Sequence, residues 1–314
     1  MHPVIPFISQ LPSSQQQIWL ESLQKAMADE QILLAKDVKW VARNDAEIAI
    51  LADPDPEQLQ LFKNLKWIHT LGAGVEHLIH AAQQKSIKLV RLQDPNLSQA
   101  MAESVLTWTL YISKKVPSYR QQQRQKIWRQ LPVQPNQQCN IGILGFGEMG
   151  KASALILLDN GFQVCAWNRS KKKLTGIKVF SGQDELPAFL ENCQILVCLL
   201  PLTVDTRHII NHKLLQKLPK GGSVINFSRG GTLNKQDLIQ QLDNGHLYHA
   251  VLDVFDQEPL AAADSLWRHE KITLLPHIAA LSDPITASTI VSENIQFYRE
   301  NGQLRQFVDL ERGY

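Results

Sequence analysis

Ile141-Gly142-Ile143-Leu144-Gly145-Phe146-Gly147-Glu148-Met149-Gly150 is an apolar run that passes into a G-x-G-x-x-G loop and then into a helical pattern. Each glycine of the loop has a task in such a setting. Gly145 permits a tight turn, Gly147 lets the backbone approach a pyrophosphate, and Gly150 lets a helix pack closely on a strand. The helix that follows, with Glu148 and Met149 in its first turn, offers free N–H groups and the positive end of its dipole to phosphates. Glycine-rich turns are common by themselves. The context decides here: a strand before, a helix after, and another apolar run about 20 residues on, which together predict a dinucleotide-binding βαβ unit.

That next run ends Ala166-Trp167-Asn168-Arg169-Ser170-Lys171-Lys172-Lys173. Folds that bind NAD usually place a carboxylate at this strand end, on the ribose 2′-hydroxyl. None stands here. Asn168, Arg169 and Ser170 suit a 2′-phosphate instead, Arg169 through a charge-assisted fork. The expected cofactor is NADPH, with NADH possible, and the three lysines are read as the start of a solvated helix.

Outward from this unit the chain repeats one theme, short apolar runs alternating with stretches of helical period. The runs fall at residues 46–51, 67–71 and 87–92, and then at 141–144, 163–167, 195–200, 223–227, 250–255 and 272–275. Helical stretches lie between them, among them 151–160 and 235–244, the latter stopped by Gly245. Strands apolar on both faces and joined by helices imply parallel sheets covered on both sides, so the fold class is doubly wound α/β. A length of 314 residues predicts about two domains. Asp94, Pro95 and Asn96 break the pattern, and Ser98 is placed to cap a long helix from Gln99 that bends or stops near Pro117. Residues 119–138 turn polar and glutamine-rich, with Arg120, Arg124, Lys126, Trp128 and Arg129 interspersed, and read as a solvated helix or arm.

Composition excludes several classes. Thirty-two Lys and Arg against 30 Asp and Glu leave a formal charge of +2, without the basic excess of a nucleic-acid or membrane-surface protein. No apolar run approaches the roughly 18 residues of a membrane span. Met1-His2-Pro3-Val4-Ile5-Pro6 lacks the features of a secretory leader. Cys139, Cys165, Cys193 and Cys198 fit neither a disulfide framework nor a zinc site, and no metal is expected. A soluble, cytoplasmic, two-domain protein is the expectation.

Ligands of open α/β sheets bind at the carboxyl ends of strands, and three ends here carry reactive groups. Ser223-Val224-Ile225-Asn226-Phe227-Ser228 runs into Arg229-Gly230-Gly231. Ala250-Val251-Leu252-Asp253-Val254-Phe255 leads to Glu258-Pro259-Leu260, and Ile272-Thr273-Leu274-Leu275-Pro276 ends at His277. A lone histidine at a strand end is commonly structural. An arginine, a glutamate and a histidine on successive strands after a dinucleotide loop form a constellation.

These motifs, with Leu71-Gly72-Ala73-Gly74-Val75-Glu76-His77, resemble the D-isomer-specific 2-hydroxyacid dehydrogenase family in order from about residue 70 to 280. More narrowly, the short first domain, the Trp167-Asn168-Arg169-Ser170 strand and the tail Val308-Asp309…Arg312-Gly313-Tyr314 are similar to the glyoxylate/hydroxypyruvate reductase A group. Asn168 departs from the acidic residue of NAD-dependent members.

The resemblance implies a Rossmann cofactor domain, residues 100–280, inserted into a flavodoxin-like substrate domain made of 1–99 and 281–314. It implies NADPH-dependent reduction of small 2-oxo acids, glyoxylate and hydroxypyruvate, to glycolate and D-glycerate in a cleft that closes against water. Arg229 would grip the substrate carboxylate and polarise the 2-oxo group, and the N–H groups of Ala73 and Gly74 would hold the carboxylate's other side. His277 would donate the proton, with its pKa raised by Glu258. Leu200, Pro201, Leu202, Thr206 and Asp253 would line the nicotinamide half. A homodimer is the family expectation. Trp40, His77 and Trp267 are candidates for the pocket wall or simply packing residues. Two other readings carry different consequences: a β-hydroxyacid dehydrogenase, which would begin at its glycine loop and end in a helical domain, and a non-catalytic NAD(P)-sensing protein on the same fold.

Overall fold

The computed structural model describes residues 2–313; Met1, part of the leader reading, and Tyr314, part of the tail resemblance, lie outside the described residues. The chain divides into two compact units, Met1–Leu97 with Ser282–Tyr314, and Ser98–Leu281. Each is a doubly wound parallel α/β unit.

In the first unit β1 (Ile5–Ser9), β2 (Ile32–Leu34), β3 (Ile48–Ala52), β4 (Trp67–Thr70) and β5 (Lys88–Val90) make a parallel sheet ordered β2-β1-β3-β4-β5. This is the flavodoxin-like order. All five residues of β3 and all four of β4 are buried, as expected of strands covered on both faces. β1 and β2 are absent from the expected runs: Pro6 stands inside β1, where a proline argues against a central strand, and β2 is three residues long. Helix Pro284–Asn301 belongs to this unit, and Arg299 ties it to Glu30 through two hydrogen bonds of 2.8 and 3.0 Å. Here Asn294 Nδ2 donates to the buried His69 Nε2 at 3.0 Å.

The second unit holds β6 (Asn140–Leu144), β7 (Gln163–Asn168), β8 (Lys178–Ser181), β9 (Ile195–Cys198), β10 (Gly222–Asn226), β11 (Leu247–Leu252) and β12 (Ile272–Leu274). Their order, β12-β11-β10-β9-β6-β7-β8, reverses direction between β6 and β9. Side chains alternate between two cores: Ile141 and Ile143 of β6 join one, Leu144 the other. Helices Glu148–Asp159, Gly182–Leu190 and Lys235–Asp243 connect the strands. No described helix is long and apolar enough to cross a membrane.

Several boundaries differ from expectation. The long helix spans Pro95–Ser113, and Asp94 rather than Ser98 bonds its first turn, accepting the Asn96 N–H at 2.8 Å. It stops before Pro117, which sits in the first turn of a new helix, Val116–Gln125. β11 begins at Leu247 and ends at Leu252, so Asp253 lies just past the strand rather than within it. The lysines 171–173 are irregular chain and start no helix.

Candidate active site

The reversal of strand order leaves a crevice at the carboxyl ends of β6 and β9, and the glycine loop lies on its rim. Gly145 has φ +109°, and a Cβ there would come 2.8 Å from the backbone carbon of Leu199. A Cβ on Gly150 would sit 2.1 Å from the Gly145 oxygen, so both glycines are demanded by the chain's own packing. Gly147 is different: a Cβ on it would meet nothing within 4 Å. The open space there leaves room for a pyrophosphate to approach the backbone. Helix Glu148–Asp159 starts directly after it. The Glu148 carboxylate pairs with Lys151 at 2.8 Å and the Met149 side chain packs on the core. Contact from these two residues to a phosphate would therefore come through backbone N–H groups.

The end of β7 is built around Asn168. Its Oδ1 accepts the Phe146 N–H at 3.4 Å, and its Nδ2 donates to Ser170 O and Oγ at 3.0 and 3.1 Å. An aspartate could not make the second pair of bonds, because a carboxylate has no donor. Arg169 Nη1 lies 3.3 Å from Asp205 Oδ2. Lys172 donates to Phe146 O at 2.8 Å, and burial, with help from Lys151, pushes its pKa below the usual lysine value. Lys172 is thus a residue of the cofactor loop, not of a solvated helix. Its signal in the sequence was a third lysine in a row, which gives no hint of a partner 26 residues earlier. Two cations, an amide and a hydroxyl, on a strand end whose own residues carry no carboxylate, fit the adenosine end of a 2′-phosphorylated dinucleotide.

After β9, Leu200 is buried in the core, and the Leu202 methyl carbons would touch a Cβ on Gly231 at 3.1 and 3.2 Å. The Thr206 hydroxyl donates to Pro201 O at 2.6 Å and accepts the Thr203 N–H at 2.8 Å. It shapes this loop.

The reactive groups converge through backbone. Asn226 Oδ1 accepts from Ser228 N and Oγ at 3.2 and 2.8 Å, and the Thr232 hydroxyl donates to Arg229 O at 2.8 Å. These buried bonds hold the turn that carries Arg229. A Cβ on Gly230 would lie 1.9 Å from Phe255 C and 2.2 Å from Asp256 N, so only glycine lets this turn press against the segment after β11. From that segment Phe255 N–H donates to Glu258 Oε1 at 2.8 Å, and Glu258 Oε2 lies 2.7 Å from His277 Nδ1. A carboxylate only accepts, so Nδ1 carries a proton and Nε2 is the nitrogen left for a ligand.

His277 has φ +55°, a left-handed conformation uncommon for a residue with a Cβ. Asp253 holds it there. Its oxygens accept Ile278 N–H at 2.7 Å and Ala279 N–H at 2.9 Å, while its backbone oxygen accepts His277 N–H at 2.9 Å. Asp253, expected to line the nicotinamide half, has both carboxylate oxygens engaged in this clasp.

The charges act on one another. The Glu258 hydrogen bond raises the His277 pKa, against burial and the Arg229 charge. Burial works to raise Glu258, yet bonds from His277 and Phe255 N–H, with the Arg229 charge, hold it below the usual carboxylate range. Burial raises Asp253 despite its two N–H donors. An arginine, a glutamate and a protonatable histidine thus share one end of one sheet.

In the first unit, residues 71–75 form a loop after β4. Leu71 N–H bonds to Leu51 O at 2.7 Å and Gly72 N–H to the Thr70 hydroxyl at 3.2 Å. Within the described residues no acceptor meets the N–H groups of Ala73 and Gly74. Trp40, His77 and Trp267 are each exposed, and the Trp267 indole donates to Ala261 O at 3.0 Å.

Residues 106–279 match the family model described as D-isomer specific 2-hydroxyacid dehydrogenase, NAD binding domain. A D-isomer specific 2-hydroxyacid dehydrogenase of Xanthobacter autotrophicus Py2, solved with NADPH and MES, is 33% identical with a TM-score of 0.93, covering 100% of both chains. A family protein of Klebsiella pneumoniae 342 is 34% identical with a TM-score of 0.90 over 98% of this chain and 97% of that one. The NADPH-dependent glyoxylate/hydroxypyruvate reductase of Sinorhizobium meliloti, solved with NADP and sulfate, is 30% identical with a TM-score of 0.90, covering 100% of both.

Proposed function

The chain belongs to the D-isomer specific 2-hydroxyacid dehydrogenase family, whose members are NAD(P)-dependent oxidoreductases, and from that premise we propose that it reduces small 2-oxo acids with NADPH, glyoxylate and hydroxypyruvate first among them. The products are glycolate and D-glycerate. The observation that carries the reading is the 2.7 Å bond between His277 Nδ1 and Glu258 Oε2, in a cluster that also contains Arg229. The reduced nicotinamide, when bound, supplies a hydride to carbon 2. His277 supplies the proton from Nε2 to the developing alkoxide, and Glu258 keeps Nδ1 protonated and stabilises the imidazolium beforehand. Arg229 binds the carboxylate and draws electron density from the 2-oxo group. Within the first unit, the Ala73 and Gly74 amides are suited to a carboxylate oxygen.

NADPH over NADH rests on Asn168, Arg169, Ser170 and Lys172 at the end of β7, and on relatives that bind NADPH or NADP. We also propose a homodimer formed through the cofactor domain and its arm at residues 119–138, where Trp128 is 100% exposed and flanked by the exposed Ile127. Sedimentation of wild type and Trp128→Ala tests that assignment; a monomeric wild type removes it.

Steady-state NADPH oxidation with glyoxylate, hydroxypyruvate and pyruvate tests the activity. His277→Ala and Arg229→Ala should each lower kcat/KM by about 100-fold or more while NADPH affinity stays near that of wild type. Tight NADPH binding without turnover of any 2-oxo acid would instead make the chain a cofactor sensor.

A further inference from the structure

Asp205 belongs to the turn that follows β9, and that turn is stiff. Thr206 Oγ1 donates to Pro201 O at 2.6 Å, Thr203 N–H donates back to Thr206 Oγ1 at 2.8 Å, and Arg207 N–H donates to Thr203 O at 3.0 Å. From this fixed place the Asp205 carboxylate reaches Arg169 Nη1 at 3.3 Å, across to the end of β7. Resting on the cofactor assignment above, we propose that Asp205 tunes the choice between phosphorylated and unphosphorylated dinucleotide, as a counter-charge that shares Arg169 with the 2′-phosphate.

The physical argument is one of like charges. A phosphate dianion that joins the Arg169 guanidinium must share it with a carboxylate already in contact, and the two anions repel. A ribose 2′-hydroxyl is neutral and enters without that cost. Lys172 is the weaker of the two cations for a phosphate, since its ammonium already donates to Phe146 O at 2.8 Å and is partly buried there. Asp205 therefore holds the preference for NADPH below the level that the two cations alone would set. Its effect is modest, because the side chains of Arg169 and Asp205 remain 49% and 69% exposed and solvent screens them.

Asp205→Asn keeps the shape of the side chain and removes its charge. Direct fluorescence titration with NADPH and with NADH, at low and at physiological salt, reads the result without turnover. The expected outcome is NADPH binding about two- to fivefold tighter with NADH nearly unchanged, and a gain that shrinks as salt rises. The same variant should tighten 2′,5′-ADP and leave 5′-AMP alone. Equal changes for both nucleotides, no change in their ratio, or weaker NADPH binding would each overturn the proposal, the last by making Asp205 an orienting partner of Arg169. A wild-type chain that binds neither nucleotide fails one step earlier, at the cofactor assignment itself.

Discussion

Glu258 bridges two loops: its Oε2 lies 2.7 Å from His277 Nδ1 after β12, and its Oε1 accepts the Phe255 N–H at 2.8 Å after β11. The carboxylate is thereby both a positioning group and a charge that keeps the imidazole protonated. His277 is raised above its ordinary value of 6.5, so its proton-donating form persists to higher pH than a free histidine's. Reduction should slow as pH rises through that raised value. In Glu258→Gln the basic limb of the kcat/KM profile should move to lower pH, and a limb that stays put would remove Glu258 from this role.

The same pair predicts a stability window. The raised His277 contributes fully below 6.5 and loses its contribution as pH climbs through its folded value. The lowered Glu258 contributes above 4.5 and loses its share as pH falls through its own folded value. Urea unfolding of Glu258→Gln should therefore show its largest deficit between these two pH values, and a small one, since both groups are partly exposed. A deficit constant from pH 4 to 9 would contradict the linkage.

Gly230 is the sharpest steric test. In Gly230→Ala the new carbon would fall 1.9 Å from Phe255 C, a backbone atom with no rotamer to escape into. The turns carrying Arg229 and Glu258 must part, with a loss of about 1–3 kcal/mol in unfolding free energy. We expect kcat/KM to drop by about 100-fold or more, because an ångström-scale misplacement is sufficient for that. Alanine at 230 with wild-type kinetics would show that the approach of these turns does not matter.

Asp253→Asn probes the clasp on His277. The amide presents a donor where Ile278 N–H and Ala279 N–H need acceptors, so at least one N–H loses its partner in a buried place. The expected cost is about 1–3 kcal/mol of stability. A lower kcat at unchanged NADPH affinity should accompany it. Weaker NADPH binding at full kcat would place Asp253 on the cofactor instead.

Two buried histidines predict acid sensitivity. His69 of the first unit and His249 of the second are held neutral, with pKa values lowered by burial to about 4. Unfolded histidine takes up its proton near 6.5, so stability is full above that value and declines as pH falls toward about 4. Each site accounts for up to about 3 kcal/mol. Urea midpoints at pH 7.5, 5.5 and 4.5 should fall in that order, and His249→Gln should reduce the drop. A flat profile would mean that the two rings protonate in the folded chain.

Much of this architecture was legible because its signals are local. A strand covered on both faces shows itself as a local apolar run, which is why β3, β4, β5, β6, β7, β9, β10, β11 and β12 could be read from the order of residues. The glycine loop, and the arginine, glutamate and histidine that follow three successive strands, are likewise short patterns with fixed spacing. β1, β2 and β8 escaped notice: β1 contains a proline, and β8 has the polar Lys178 and Ser181 at its two ends.

What only tertiary structure decided are the partnerships between residues far apart in the chain. The amino-acid order shows that Gly230 is a glycine; the fold shows Phe255 where its side chain would be. Lys172 became a cofactor-loop residue by reaching Phe146, Asp253 became the support of a strained His277, and Asp205 met Arg169 across the crevice of one sheet. Local sequence determines which strands and turns form, through periodicity and backbone sterics. Which charges and hydrogen-bonding groups meet is set by how neighbouring strand ends pack, and no spacing along a single strand encodes that.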